Sequence, residues 1–190
     1  MRITKLVRRS EAAPDLLPDG LLTIADAYPT LKQSLKLKSR GAAGVVLRPV
    51  PTSEFTPIAR EMAEVVDDVA DGDGLELEGT DDPYAFRWLI VRSGTFDQLV
   101  QGVHAMSMAL GSNGARTRLL CAVFSFADDR GQPFYWIYNY EQGKFYPLAR
   151  SAPNRARDSE RERRLTEEVE DQLPVEPAPE RCLPLWGIPI

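Results

Sequence analysis

The apolar residues of this chain follow two spacings, one typical of β-strands and one typical of α-helices. In segments 75–79 and 84–91 they alternate with other residues, and the Asp-Asp-Pro sequence at 81–83 favours a turn between the two segments. Because successive side chains of a strand point to opposite faces, this pattern predicts a β-hairpin. Segment 119–126 is almost wholly apolar, which predicts a central strand buried on both faces.

In the first half of the chain, apolar residues at helical spacing follow two residues that are typical of a helix N-terminus. Thr56 and Pro57 are typical of a helix N-cap and first helical position, and apolar residues follow at intervals of three or four up to position 69. Segment 21–28 predicts a short helix, which we expect Pro29 to interrupt or restart because proline cannot donate a main-chain hydrogen bond.

Two capping boxes predict further helices. Thr95 stands three residues before a glutamine at the start of an apolar stripe over 96–110, and Ser159 stands three residues before a glutamate in a highly charged segment. Additional strands are predicted at 134–140 and 145–148. Together these elements predict an α+β fold, with an antiparallel sheet of about five strands and two or three helices packed on it.

Changes in amino-acid composition along the chain predict that it has three parts. Residues 1–20 are expected to form a flexible N-terminal arm, residues 21–150 the α+β core domain, and residues 151–190 a charged helix followed by a proline-rich tail. The tail contains large apolar side chains that are costly to leave in water. They can pack on the sheet of the same chain or on another protein, and the sequence leaves both alternatives open. The residues concerned are Leu183, Leu185, Trp186 and Ile188.

The amino-acid composition limits which kinds of molecule the protein is expected to bind and where it is expected to act. The formal net charge is −5 and the isoelectric point about 5.0, which argues against general nucleic-acid binding because such binding depends on neutralising phosphates with Lys and Arg. No segment approaches the roughly 18 apolar residues of a membrane-spanning helix, so we expect a cytoplasmic protein without direct membrane insertion. Cys121 and Cys182 permit one disulfide, although a reduced, buried thiol is the expected state of Cys121.

Residues with catalytic chemistry are scarce. His104 is the only histidine, and Asp97 lies two helical turns before it, so the pair could orient a general base. No nucleophile or metal-ligand motif stands at a recognisable spacing from them. We therefore expect a protein that is not an enzyme and has no catalytic, cofactor or metal site, while a small enzyme using Asp97 and His104 remains an alternative.

Several collinear segments resemble the PspA-associated protein PspAB family. These are 82–92, the helix containing His104, 119–121, 144–147, and 171–177 together with the Pro-Leu-Trp-Gly sequence at 184–187. The resemblance implies a protein-binding adaptor for a PspA-like coiled-coil protein in an envelope stress response. Such an adaptor would be peripheral at the inner face of the cell membrane through its partner.

The order of elements is also similar to YbjN-like and type III secretion chaperone-like folds, which implies a peptide-binding chaperone, with a homodimer, as an alternative function. For the adaptor, the expected contact surfaces are the exposed face of the helix at 56–69 and the C-terminal tail, whereas the chaperone predicts a peptide-binding groove. The candidate partner-binding residues are Met62, Leu183, Leu185, Trp186 and Ile188.

Overall fold

The computed structural model describes residues 19–70, 74–112, 116–150 and 156–190. Of the predicted arm at 1–20, only residues 19 and 20 are described, and they begin the first helix. Residues 151–155 of the predicted charged segment also lie outside the described residues. The main elements are helix α1 (Asp19–Gln33), strand β1 (Lys38–Leu47), helix α2 (Thr52–Ala70), strands β2 (Glu76–Asp81) and β3 (Arg87–Arg92), helix α3 (Phe96–Ser112), strands β4 (Leu119–Ala127), β5 (Pro133–Asn139) and β6 (Lys144–Ala149), and helix α4 (Ser159–Glu167).

The six strands form one open antiparallel sheet in the order β2-β3-β1-β4-β5-β6, which confirms the predicted α+β class. The hairpin predicted around 81–83 is β2–β3, in which Leu77 stands opposite Val91. The wholly apolar segment is β4, which lies between β1 and β5 and is buried along nearly its whole length. The expected central strand is therefore present.

Two predicted helix boundaries were wrong. Helix α1 continues through Pro29 to Gln33, because Leu31 beyond the proline is fully buried and extends the apolar stripe of the helix. Helix α2 begins at Thr52 instead of near Thr56, because Phe55 packs into the core from an additional first turn. In both cases the burial of one apolar side chain outweighs the local cost of a proline.

Helices α1, α2 and α3 cover one face of the sheet. Helix α3 contacts β1, β3 and β4 as well as both other helices, while α2 lies towards the edge strand β2 and α1 towards the opposite edge strand β6. The strands supply every second residue to this core, and its large aromatic sheet residues are Phe124, Phe126, Phe134, Trp136, Tyr138 and Phe145. None of the helices in the described segments is both long and apolar enough to cross a membrane.

The opposite face of the sheet has an apolar core of its own. The alternate residues of the same strands point there and are covered by the C-terminal segment. The buried sheet residues on this side are Val46, Trp88, Ile90, Cys121, Val123, Tyr135, Ile137, Tyr146 and Leu148. The sheet is therefore the middle layer of three, between helices and an extended chain segment.

We predict that the protein loses stability in alkali. Burial raises the pKa of the Cys121 thiol and of the Tyr140 and Tyr146 phenols, so the folded state keeps these groups protonated where the unfolded chain ionises them. The stabilisation is complete below the ordinary thiol and phenol pKa values, about 8.5–10, and decreases as pH rises above them.

Urea unfolding followed from about pH 7 to pH 11 tests this expectation. The free energy of unfolding should fall above about pH 9, and more gently in a Tyr146→Phe variant, which has one ionisable phenol fewer. A free energy of unfolding that is flat across this range would contradict the assignment of these groups to the buried, neutral state.

Candidate partner-binding face

The C-terminal residues 174–190, here called the strap, lie on the sheet face opposite the helices. The strap begins beside the edge strand β6, where Phe145 N donates to Pro174 O at 2.8 Å and Glu176 N donates to Phe145 O at 2.8 Å. Further along, Gly187 reaches the β2–β3 turn at Pro83. The tail thus packs on its own domain, which was one of the two alternatives that the sequence left open.

Side chains near the β5–β6 edge hold the strap by its main-chain carbonyls. Tyr146 Oη donates to Leu183 O at 3.1 Å, and Tyr135 Oη donates to Ile190 O at 3.1 Å. The guanidinium of Arg150 donates to Leu185 O at 3.2 Å. These hydrogen bonds involve only main-chain carbonyl oxygens of the strap, so they do not depend on the identity of its side chains.

The structure separates the five candidate partner-binding residues. Met62 is fully buried on the α2 stripe that faces the sheet, so its side chain is not at the surface of the domain. Leu185 is also buried, against the sheet face under the strap. Leu183 and Ile188 are half-buried on the same side, and Met62 lies across the sheet from them. Trp186 is half-buried, with the Arg150 guanidinium over its ring.

The β2–β3 turn presents an aromatic side chain to solvent. The carboxylate of Asp82 is buried and accepts three hydrogen bonds, from Tyr84 N at 2.8 Å, Phe86 N at 3.0 Å and Trp88 Nε1 at 3.1 Å. Ala85 has a φ of +64°, which is unfavourable for a residue with a Cβ atom. Tyr84 projects from this fixed turn with 58% of its surface exposed. The sequence pattern predicted the turn but gave no signal that Tyr84 would be exposed.

The strap and the turn fit together at Gly187. This residue has a φ of +71°, and a Cβ atom placed on it would lie 2.9 Å from Pro83 Cδ and 3.5 Å from the ring of Tyr84. Only glycine suits both the backbone conformation and the space. We call Pro83, Tyr84 and Gly187, together with Trp186 and Ile188 on either side of Gly187 in the chain, the apolar ridge.

A buried ion pair fixes the chain just before the strap. Arg157 Nε donates to both carboxylate oxygens of Glu162, at 3.1 and 3.0 Å, and Glu162 Oε1 also accepts from Ala149 N of β6 at 2.9 Å. The sequence placed Glu162 in a capping box, but Asp158 is the N-cap and accepts from Arg161 N at 3.0 Å. Glu162 is therefore free to bind Arg157 and β6.

Two cysteines lie at the contact between strap and sheet. Cys121 is fully buried on β4 and Cys182 is nearly buried in the strap, and both are free thiols. Burial raises the pKa of the Cys182 thiol, and the nearby guanidinium of Arg157 acts in the opposite direction. Both thiols are shielded from solvent while the strap is in place.

His104, which the sequence pairs with Asp97 as a candidate general base, lies beside another carboxylate. His104 Nε2 is 3.7 Å from Asp19 Oδ1 at the start of α1, and this nitrogen has no hydrogen-bond partner among the described residues. Across the described ranges, no group of three or more His, Cys, Asp or Glu side chains is arranged to hold a metal ion.

We predict that Glu162→Ala destabilises the protein strongly. The substitution leaves the Arg157 guanidinium partly buried without its partner and removes an acceptor from Ala149 N, so unfolding should become easier by about 3–5 kcal/mol. Glu167→Ala on the same helix is the matched control, because Glu167 pairs with Arg163 at the exposed surface and should cost less than about 1 kcal/mol. Equal effects in chemical denaturation would contradict the role of the buried pair.

We also predict that Ala85→Gly stabilises the protein by about 1 kcal/mol, because glycine relieves the left-handed backbone at this position. Ala63→Gly is the control. Ala63 lies inside helix α2, where glycine should instead destabilise by about 1 kcal/mol. Thermal or urea unfolding of the two variants should therefore give shifts of opposite sign, and a loss of stability in Ala85→Gly would rule out relief of strain.

Comparison with known proteins gives one match. The family model of PspAB, described as PspA associated protein B, matches residues 1–190, which is the whole chain. No curated protein and no solved structure matches the chain. On this match, the chain belongs to the PspAB family of PspA-associated proteins.

Proposed function

We propose that this protein is a non-enzymatic, protein-binding adaptor that associates with a PspA-type coiled-coil protein in an envelope stress response. Membership of the PspA-associated family supports the choice of system. In this proposal the protein acts in the cytoplasm and reaches the inner face of the cell membrane through its partner. It needs no cofactor and no nucleic acid for this role.

The observation that carries the proposal is the exposed aromatic side chain of Tyr84 on a rigid turn. Tyr and Trp are enriched among residues that dominate binding energy, because they bury a large area at a small cost in conformational entropy. Tyr84 is mostly exposed, and Trp186, which directly precedes Gly187 in the strap, keeps part of its surface free. The ridge therefore offers the kind of side chain that protein interfaces use.

The support beneath the ridge also favours binding. Asp82 fixes the turn with three hydrogen bonds, and Gly187 seats the strap against Pro83. Arg150 stacks on Trp186, with 5.8 Å between the guanidinium carbon and the ring centroid. A surface that is ordered before binding loses less entropy when the partner docks. We infer that the strain at Ala85 is retained because it points Tyr84 outward.

A non-enzymatic role fits the use of buried ionisable groups in this fold. The carboxylates of Asp82 and Glu162 are the acceptors that hold a turn and a helix in place, and the Arg157 guanidinium serves the same helix. Their hydrogen-bonding capacity is taken up by other groups of the fold, which suits a structural role better than a proton-transfer role.

A second candidate function is a peptide-binding chaperone with a homodimeric assembly. It is favoured by one observation, namely that a face of the sheet accommodates an extended chain segment through hydrogen bonds to its carbonyls. This candidate predicts binding of many unrelated extended peptides, whereas the adaptor predicts preference for the PspA-type protein.

The adaptor proposal predicts that Tyr84→Ala weakens binding to a purified PspA-type protein from the same genome by about tenfold or more. The matched control is Leu22→Ala, since Leu22 is the other large exposed apolar residue in the described part of the chain and lies on α1. Calorimetry or surface-based binding measurements should show a loss for the first variant only, with both variants equally stable.

Failure of the wild-type protein to form a complex would overturn the adaptor proposal. Equal affinities of the Tyr84 and Leu22 variants would remove the apolar ridge as the binding surface.

A further inference from the structure

We propose that the outer edge of strand β2 is a second contact site for the partner, and that an extended, basic segment of that partner pairs with β2 as an additional strand of the sheet. This inference rests on the proposed function, because it says how the adaptor engages its partner beside the apolar ridge. The strap keeps its place on the sheet in this arrangement.

Every second residue of β2 directs its main-chain groups away from the sheet. In an antiparallel pair, residues that exchange two main-chain hydrogen bonds alternate with residues that exchange none. Asp82 N donates to Phe86 O at 3.1 Å one step beyond the last register pair of β2 and β3, so the residues of β2 that bond to β3 have even numbers. Ser93 N donates to Gly41 O at 3.2 Å, which leaves the odd-numbered residues of β3 for β1 and agrees with this alternation. The main-chain groups of β2 that point outward are those of Leu77, Gly79 and Asp81.

The opposite edge of the sheet, strand β6, is closed. The strap uses both main-chain groups of Phe145, and the N-terminal part of α4 uses both main-chain groups of Ala149. Pro147, midway between them, has no N–H. Proteins cover or interrupt edge strands in this way because a free edge pairs readily with other chains.

Strand β2 lacks such a cover. In the described part of the chain, no hydrogen bond joins the outward main-chain groups of Leu77, Gly79 or Asp81 to another segment. Gly79 is exposed, and because glycine has no side chain, its exposed surface is main chain. A Cβ atom placed on Gly79 would lie 3.3 Å from the ring of Phe55, so α2 packs on the face of β2 and leaves its edge accessible.

The spacing of these groups selects an extended occupant. Along a strand, residues two apart repeat at about 6.6–6.8 Å, and a facing strand has donors and acceptors at the same repeat. The main-chain groups of an α-helix are paired within the helix and cannot match this row. Addition of a strand to a free sheet edge is a general mode of peptide recognition, in which main-chain hydrogen bonds supply the affinity.

The charge of β2 favours a basic partner segment over a second copy of this chain. The strand has three acidic side chains, Glu76, Glu78 and Asp81, and no basic one. Two copies paired edge to edge would bring these acids together, and like charges on neighbouring strands are destabilising. Arginines of β3 pair with Glu78 and Asp81, whereas Glu76 has no ion pair among the described residues. We therefore expect a Lys or Arg of the partner beside Glu76.

The open edge continues into the apolar ridge. Asp81 is the last residue of β2, and it directly precedes the turn that Asp82 fixes and from which Tyr84 projects. A segment paired with β2 therefore runs towards Tyr84, so that one partner chain contacts both the edge and the ridge. Both sites are ordered before binding, which reduces the entropy lost on docking.

Amide hydrogen exchange, followed residue by residue by NMR on the full chain, tests the pairing directly. In the free protein, the outward amides of Leu77 and Gly79 should exchange rapidly, while those of Glu78 and Thr80, which bond to β3, exchange slowly. A saturating, purified PspA-type protein should slow the exchange of Leu77 and Gly79 by about tenfold or more, because their N–H groups become hydrogen-bonded. A complex in which these two amides exchange as in the free protein would overturn the inference.

Gly79→Pro and Gly79→Ala form a matched pair of variants. Both place a carbon atom close to the Phe55 ring, but only proline removes the outward N–H. Gly79→Pro should therefore bind the partner about tenfold more weakly than Gly79→Ala, with urea unfolding confirming that both are folded. Equal affinities of the two folded variants would show that this N–H is not used.

Reversal of one charge tests the basic character of the segment without altering the main chain, and it serves even where Gly79→Pro does not fold. Glu76→Lys should weaken binding several-fold, and the effect should shrink as salt is added. Glu160→Lys is the control, since Glu160 is an exposed residue of α4, which packs on the opposite edge strand. Equal losses in both variants would contradict a basic segment beside Glu76.

The outcomes distinguish this inference from the proposed function. A complex that is weakened by Tyr84→Ala but leaves the amides of β2 unprotected would support the adaptor and overturn the pairing at the edge. Protection of Leu77 and Gly79 that rises with concentration in the free protein would identify a second copy as the occupant and overturn the choice of a partner segment. An absence of any complex would overturn the adaptor, and the edge pairing with it.

Discussion

The structure depends on covering both faces of one apolar sheet. The strands place large apolar side chains alternately on either side, so that Phe124 and Phe126 face the helices while Val123 faces away from them. Each large apolar side chain left in water would cost about 1.5–3 kcal/mol. Three helices cover one face, and the strap of residues 174–190 covers the other. The proline-rich tail is therefore a structural layer of the domain and not an appendage to it.

Polar groups fix where this second layer attaches. The Arg157–Glu162 pair ties α4 to β6 next to Cys182, and Asp82 orders the turn that Gly187 meets. Each is a buried carboxylate whose acceptor positions are used by main-chain or side-chain donors, which offsets the cost of removing charge from water. The strap is thus fixed at both ends by electrostatics and shape, while apolar packing fills the space between.

The sequence predicted those features that depend on local spacing. The alternation at 84–91 and the apolar segment at 119–126 identified a hairpin and the central strand, because strand periodicity is visible in the sequence itself. Features that depend on distant partners were missed. Leu31 and Phe55 extend two helices by packing into the core. The helical spacing had already placed Met62 on the apolar stripe of α2, and the structure buries it there. Tyr84 is exposed at a turn whose shape is fixed by the hydrogen bonds that Asp82 accepts, and such bonds leave no periodic pattern in the sequence.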